Sequence, residues 1–253
     1  MFKNAIVRKP CPNMVEGITE ANLGKPDYHK ALLQHARYTG ALRKLGLKIQ
    51  VLEPDNRFPD SVFIEDVAVC TPYCAVITCP GAPSRRDEVS TIRDSIYSFY
   101  ENVEQITEPG KLDGGDVMMA GTHFYIGLSG RTNKAGANQL IKILQQYNLS
   151  GSTVSLGEVL HLKTGISYLE KNNLLVSGEF IEKEEFRDFN KIIVPPEEAY
   201  AANCVWINGS VIIPAGYPVT QKNIEEAGYQ TITVEMTEFE KLDGGLSCLS
   251  LRF

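Results

Sequence analysis

Hydrophobic and polar positions fall into short alternating runs along this chain, and the runs recur. Phe2 to Val7 predicts a strand, stopped by Pro10 and Pro12. Asp27 is placed to cap a helix reaching about Leu45, with Ala31, Leu32, His35, Tyr38, Leu42 and Leu45 along one face and Gly46 ending it. Leu47 to Leu52 predicts a second strand, closed by Pro54. Residues 13–28 between these elements are polar and punctuated by Gly17, Gly24 and Pro26. A loop of that length in a compact chain is expected to be a lid if a site lies beneath it, and a mobile surface loop otherwise.

From residue 60 onward one pattern repeats: strand, turn, strand, helix, strand. The first unit opens at Asp60–Asp66, with strands 67–70 and 74–78, a helix over 88–100 and a strand over 103–106. The second opens at Leu112-Asp113-Gly114-Gly115-Asp116, with a turn at 121–122, a strand over 123–127 and a helix over 133–147. The third opens at Leu162, with a turn at 171–173 and a strand over 174–177. The fourth opens at Tyr200, with a turn at 208–209, a strand over 211–214, a helix over 220–227 and a strand over 231–234. A fifth begins at Leu242-Asp243-Gly244-Gly245 and stops. A period of about 40 to 50 residues is that of a propeller or other repeat array. The fifth unit lacks a helix and a final strand, which the N-terminal segment supplies. Joining the two ends predicts a closed α/β propeller of five ββαβ units, with no sheet edge left at the seam. An ordinary α/β sheet with hairpins is the competing fold; the recurrence of Leu-Asp-Gly-Gly at 112–115 and 242–245 argues against it.

If the ring closes, the unit openings converge on one cavity. They bring Asp60, Glu65, Asp66, Asp113, Asp116, His161 and Cys248 together. Cys248 follows a Gly-Gly turn and is expected at the mouth of a strand. Taken alone it reads equally as a small buried hydrophobe. A cysteine, a histidine and acids on one rim form the arrangement of a thiolate nucleophile with a proton-transfer partner. Clustered carboxylates call for a cation, and a planar guanidinium pairs with them in two-pronged fashion. Arg85 and Arg131, each after its unit's second strand, could clamp a carboxylate at the other end of the ligand. Read singly, each is also an ordinary turn arginine. An arginine-like amino acid fits both ends. Those acids should also hold Cys248 as a neutral thiol until a guanidinium arrives.

Composition narrows the class. With 253 residues, 43% hydrophobic and 22% charged, the chain is globular and large enough for an unstapled core. A net charge of −6 argues against an extended nucleic-acid surface. No run approaches 18 apolar residues, and the first ten lack a signal-peptide pattern, so neither a membrane span nor secretion is expected. The six cysteines, at 11, 70, 74, 79, 204 and 248, show no disulfide framework; reduced thiols in the cytosol are expected. Cys70, Cys74 and Cys79 have neither the spacing nor a nearby histidine for a structural zinc, so no metal site is expected.

Several blocks in order carry a resemblance over essentially the whole chain. They are Leu23–Tyr28, Phe58–Asp66, Leu112–Asp116, Gly127–Asn133, His161-Leu162-Lys163, Tyr200–Cys204 and Asp243–Cys248. With these blocks the chain resembles the dimethylarginine dimethylaminohydrolase family of guanidino-group-modifying enzymes, whose fold is a five-fold pseudosymmetric α/β propeller. Arginine deiminases are similar but carry an added helical module, for which this chain has no room. The resemblance implies Cys248 as nucleophile and His161 as general acid and base, with Asp66 and Asp113 holding the guanidinium. Asp113 stands where some bacterial relatives carry glutamate. Glu65 would be a further acid of the substrate pocket. Arg85 and Arg131, assisted by Asp60, would hold the α-carboxylate, and the carbonyls of Ile18 and Leu242 would face the α-amino group. The implied activity is hydrolysis of Nω-methylated L-arginine to L-citrulline and an amine, with no cofactor, from a single catalytic domain spanning residues 1–253 with 13–28 as lid. A homodimer is compatible with the resemblance. The alternatives are an arginine deiminase-like or other guanidino hydrolase, and a non-catalytic ring that binds an arginine-like ligand.

Overall fold

The computed structural model describes residues 1–157 and 159–253. Its elements follow one another as β1 (Asn4–Arg8), α1 (Tyr28–Lys44), β2 (Lys48–Leu52), β3 (Ala68–Cys70), β4 (Ala75–Ile77), α2 (Arg93–Tyr97) and β5 (Val103–Gln105). Next come β6 (Val117–Ala120), β7 (His123–Leu128), α3 (Lys134–Gln146) and β8 (Ser150–Ser155), then β9 (Ile166–Tyr168), β10 (Asn173–Val176) and β11 (Asn190–Ile193). The chain finishes with β12 (Val205–Ile207), β13 (Ser210–Pro214), α4 (Pro218–Glu226), β14 (Gln230–Val234), α5 (Thr237–Glu240) and β15 (Leu251–Arg252).

The strands form five three-stranded sheets, and each has the same wiring. An inner strand pairs antiparallel with the middle one, and the middle one pairs parallel with the outer. Thus β3–β4–β5, β6–β7–β8, β9–β10–β11 and β12–β13–β14 are consecutive in the chain. The remaining blade joins the ends: β15 runs antiparallel to β1, with Ala5 opposite Arg252 and Ile6 opposite Leu251, and β1 runs parallel to β2. The carbonyl of Phe253 accepts the N–H groups of Lys3 and Asn4 at 2.9 and 2.7 Å, which fixes the seam. The five-bladed propeller expected from the repeat is the fold observed.

Two helices start and stop as the sequence dictates. Asp27 accepts the Lys30 N–H at the start of α1, and Gly46 at φ +92° releases the chain from its end. Asn133 caps α3 by accepting the Gly136 N–H at 2.8 Å. Gly136 also lets α3 lie directly on Lys111, whose carbonyl oxygen would stand 2.1 Å from any Cβ added there. The apolar faces of these helices and of the sheets fill five core clusters around the ring.

Two expectations need correction. The helix over 88–100 is largely a 3-10 winding over 83–91, with α2 covering only five residues. Ser90 and Thr91 donate their hydroxyls to the carbonyls three residues back, a local bond that competes with α-helical pairing. The unit opening at Leu162 has no α-helix at all. Between β10 and β11 it has 3-10 turns at 178–180 and 184–186, where Gly178 at φ +52° breaks the winding. Phe180 and Phe186 are fully buried there and, with Tyr125 and Phe189, plug the space a helix would fill. Among the described residues no helix is long and apolar enough to cross a membrane.

Candidate active site

Each inner strand is preceded by a 3-10 turn: 64–67, 114–116, 162–164, 196–202 and 247–249. These five turns gather at one end of the ring axis and carry the site. Cys248 sits inside the last turn rather than at a strand mouth, since β15 begins only at Leu251.

The turns hold one another by side chains that reach backbone N–H groups. Asp66 Oδ1 accepts the Gly115 N–H at 2.9 Å, and Asp116 Oδ1 accepts the Leu162 N–H at 3.0 Å. Asn203 donates to the Lys163 carbonyl at 3.0 Å and accepts the Ser247 N–H at 2.9 Å. The Ser247 hydroxyl donates to Glu65 at 2.7 Å, which returns the chain of bonds to the first turn. The glycines before the functional residues serve close approach. A Cβ on Gly115 would stand 2.9 Å from both Asp66 Oδ1 and His161 Nδ1, and one on Gly245 would stand 2.3 Å from Asn203.

Cys248 and His161 line a cleft of about 430 Å³ with Ile18, Arg131, Asn203 and Asp243. It continues into a recess of about 40 Å³ where Asp60, Asp66, Arg85 and Leu242 join them. His161 Nε2 lies 3.2 Å from Asp113 Oδ2, so the aspartate reaches the imidazole despite its short side chain. Asp113 Oδ1 accepts the Gly81 N–H at 2.7 Å, which orients the carboxylate. Ligand atoms of Asp66, Asp113 and His161 lie within 4.8 Å of one another, close enough to share a cation. Arg131 Nη1 is 4.0 Å from Asp113, with the arginine side chain about one-fifth exposed to the cleft.

The electrostatics favour a protonated histidine beside a neutral thiol. Burial alone would lower the His161 pKa, but Asp66, the hydrogen bond that His161 donates to Asp113, and Asp116 together carry it up to about 9. Burial, reinforced by Glu65 and Asp66, pushes the Cys248 thiol up to about 12. The Gly245 N–H, 3.4 Å from Sγ, works in the opposite direction. Burial and the carboxylates of Glu65 and Asp66 thus act on Cys248 in the direction expected of the acid cluster.

Two expected site residues are placed differently. Glu65 does not face the cleft. Lys163 at 2.6 Å, Arg252 at 2.8 Å and the Ser247 hydroxyl hold its carboxylate, and it lines a separate axial cavity of about 140 Å³ bounded by the inner strands. Its charge, not a contact, is what it contributes to the cleft. Arg85 lines the recess but is already paired. Its Nη1 lies 2.5 Å from Asp66 Oδ2, its Nε and Nη2 donate to Glu88, and Nη2 also donates to the Phe63 carbonyl. One Nη1 proton is left for a ligand. Asp60 accepts the Ile18 N–H at 3.0 Å, which ties segment 13–28 to the recess. Sequence reasoning missed Gly81 and the tie made by Asn203; no spacing marks either, because each acts across blades. It also missed Lys163 as a cleft residue, although Lys163 stands two places from His161.

A closed ring of five blades, four of them ββαβ, with a cysteine, a histidine and paired carboxylates at one end of its axis, is the arrangement expected of the guanidino-group-modifying class. Comparisons with known proteins carry this further. The model of eukaryotic N,N-dimethylarginine dimethylhydrolases matches residues 22–194. The chain is 56% identical to N(G),N(G)-dimethylarginine dimethylaminohydrolase of Pseudomonas aeruginosa, covering 100% of both chains. It is 35% identical to the Streptomyces coelicolor protein of the same name, covering 99% of this chain and 96% of that one. A crystal structure of the Pseudomonas aeruginosa protein, a cysteine-to-serine mutant complexed with citrulline, superposes over 100% of both chains with TM-score 0.99. The N-terminal domain of a cyanobacterial arginine dihydrolase, 18% identical and covering 100% of this chain and 98% of that one, shares the fold with TM-score 0.90. The chain belongs to the dimethylarginine dimethylaminohydrolase family.

Proposed function

We propose that this protein hydrolyses Nω-methylated L-arginine to L-citrulline and the methylated amine. The observation that carries the reading is the convergence of Cys248, His161 and Asp66 in one recess, with buried Asp113 behind the imidazole, in a chain that is 56% identical to a dimethylarginine dimethylaminohydrolase along its whole length. The guanidinium enters the recess and pairs with Asp66 and Asp113, which fixes its carbon against Sγ. Arg131 takes the α-carboxylate with its open head group, and the remaining Arg85 Nη1 proton and Asp60 support that end. The carbonyls of Ile18 and Leu242 face the α-amino group. Residues 13–28 act as the lid of a single catalytic domain spanning 1–253. The cytosol, where its six free thiols stay reduced, is the setting the composition favours.

The chemistry follows from the charges. The bound guanidinium offsets the acids that suppress ionisation, and the Cys248 thiol gives up its proton to solvent. Sγ bonds to the guanidinium carbon. His161 donates its proton to the methylated nitrogen, the C–N bond breaks, and dimethylamine leaves. A thiouronium remains on Cys248. His161, now neutral, takes a proton from water; the hydroxide adds to the carbon, its remaining proton passes to Sγ as the C–S bond breaks, and citrulline leaves with the thiol restored.

The test is citrulline formation by purified protein, with dimethylarginine and arginine compared. Preference for dimethylarginine supports the reading. Preference for arginine makes the protein a deiminase-like hydrolase, and tight ligand binding without citrulline makes it a binding ring.

A further inference from the structure

We propose that Asp116 is a positioning residue that holds the Arg131 arm and the His161 arm of the site in one register. Asp116 is fully buried and touches neither side chain's reacting end. It is the repeat counterpart of Asp66: Glu65-Asp66-Val67 and Gly115-Asp116-Val117 occupy the same place before an inner strand. Both aspartates use Oδ1 in the same way, to accept a backbone N–H of the next blade's turn. Their second oxygens differ. Asp66 Oδ2 pairs directly with Arg85, whereas Asp116 Oδ2 accepts the Ser129 hydroxyl at 2.6 Å.

Ser129 is the link to Arg131. Its Oγ accepts the N–H groups of Arg131 and Thr132 at 2.9 and 3.1 Å, so both lone pairs are used and its one proton points to Asp116. Thr132 Oγ1 in turn accepts the Asp113 N–H at 3.1 Å, and the Asp116 N–H donates to the Asp113 carbonyl at 3.1 Å. The bonds close a loop through Asp113, Asp116, Ser129 and Thr132. From that loop Arg131 projects toward the cleft. On the other side, Oδ1 grips Leu162, the residue next to His161. One carboxylate thus sets the distance between the carboxylate-binding end and the proton-transfer end of a substrate.

The inference rests on the proposed roles of Arg131 and His161, and it is tested by binding as well as turnover. Ser129→Ala removes the hydroxyl that accepts the Arg131 and Thr132 N–H groups and leaves the Asp116–Leu162 bond in place. Its affinity for citrulline should fall roughly tenfold, the scale of one or two lost hydrogen bonds. Affinity for agmatine, which has the guanidinium but no α-carboxylate, should hold. Asp116→Asn keeps an oxygen for Leu162 but turns an amide toward the Ser129 hydroxyl and removes a charge near His161. It should show the same loss for citrulline and a fall in the basic pKa of the kcat/KM profile. Equal losses for citrulline and agmatine in Ser129→Ala, or no loss for either, would overturn the proposal. So would an Asp116→Asn protein that has a lower Tm but unchanged binding and pH profile. If Asp116→Asn does not fold, Ser129→Ala decides alone. If the wild type makes no citrulline, the proposed activity fails, and the citrulline–agmatine contrast still tests the positioning role.

Discussion

Replacing Glu65 by glutamine should make Cys248 more acidic although the two need not touch. Glu65 is the first charge after burial itself that raises the thiol, and its carboxylate is bonded to Ser247, the residue next to Cys248. Glutamine keeps the shape and a carbonyl oxygen for Arg252 or Lys163, so the change is mainly one of charge. A unit charge at about 6 Å in an effective dielectric of about 20 is worth about 3 kcal/mol, or about two pKa units. Lys163 and Arg252 would then be left without their shared carboxylate, which acts in the same direction. The assay is alkylation of the free protein by iodoacetamide across pH, with the Cys248 peptide quantified by mass spectrometry. In the wild type the rate should climb about tenfold per pH unit beyond pH 9 without a plateau. In Glu65→Gln the same curve should appear about two units lower. Identical curves would refute the electrostatic account. A wild-type plateau below pH 6 would replace it with a standing cysteine–histidine ion pair.

Arg131→Ala should weaken binding of ligands that carry an α-carboxylate by about 2 to 5 kcal/mol, measured calorimetrically, and leave agmatine and the Tm nearly unchanged. Arg85→Ala should instead leave Asp66 and Glu88 buried without their partner and cost about 3 to 5 kcal/mol of stability, read from denaturant unfolding. The folded pKa of His161, about 9, exceeds its ordinary value of 6.5, so its contribution is complete below about pH 6.5 and is lost as pH rises through 9. The stability gap between wild type and His161→Gln, at most about 3 kcal/mol, should therefore shrink from pH 6 to pH 9.5, and a gap that widens would contradict the assigned charge. Asp243 sits at φ +56° and accepts the Glu20 N–H at 2.7 Å and the Thr19 hydroxyl at 3.1 Å. Asp243→Gly suits that backbone but removes the latch, so limited proteolysis within 18–25 should speed up and KM for dimethylarginine should rise with the Tm held.

The repeat fixed the blade count because each unit must bury its own strands against the next, and that need imprints a period on the sequence. The missing helix and strand of the last unit identified the seam, since a half blade cannot bury its face alone. Local chemistry settled the caps at Asp27 and Asn133, which act within three residues. Side-chain partnerships across blades were settled only by tertiary structure. Asp113 and Asp243 share the tetrapeptide Leu-Asp-Gly-Gly, yet one meets His161 at φ −102° and the other accepts the Thr19 hydroxyl and the Glu20 N–H at φ +56°. Glu65 looked like a pocket acid, but Lys163, Arg252 and Ser247, 98 to 187 positions away, draw it into the axial cavity. Period and propensity depend on neighbours in the chain, whereas pairing and pKa depend on neighbours in space. In a ring those are residues a whole blade or more apart in sequence.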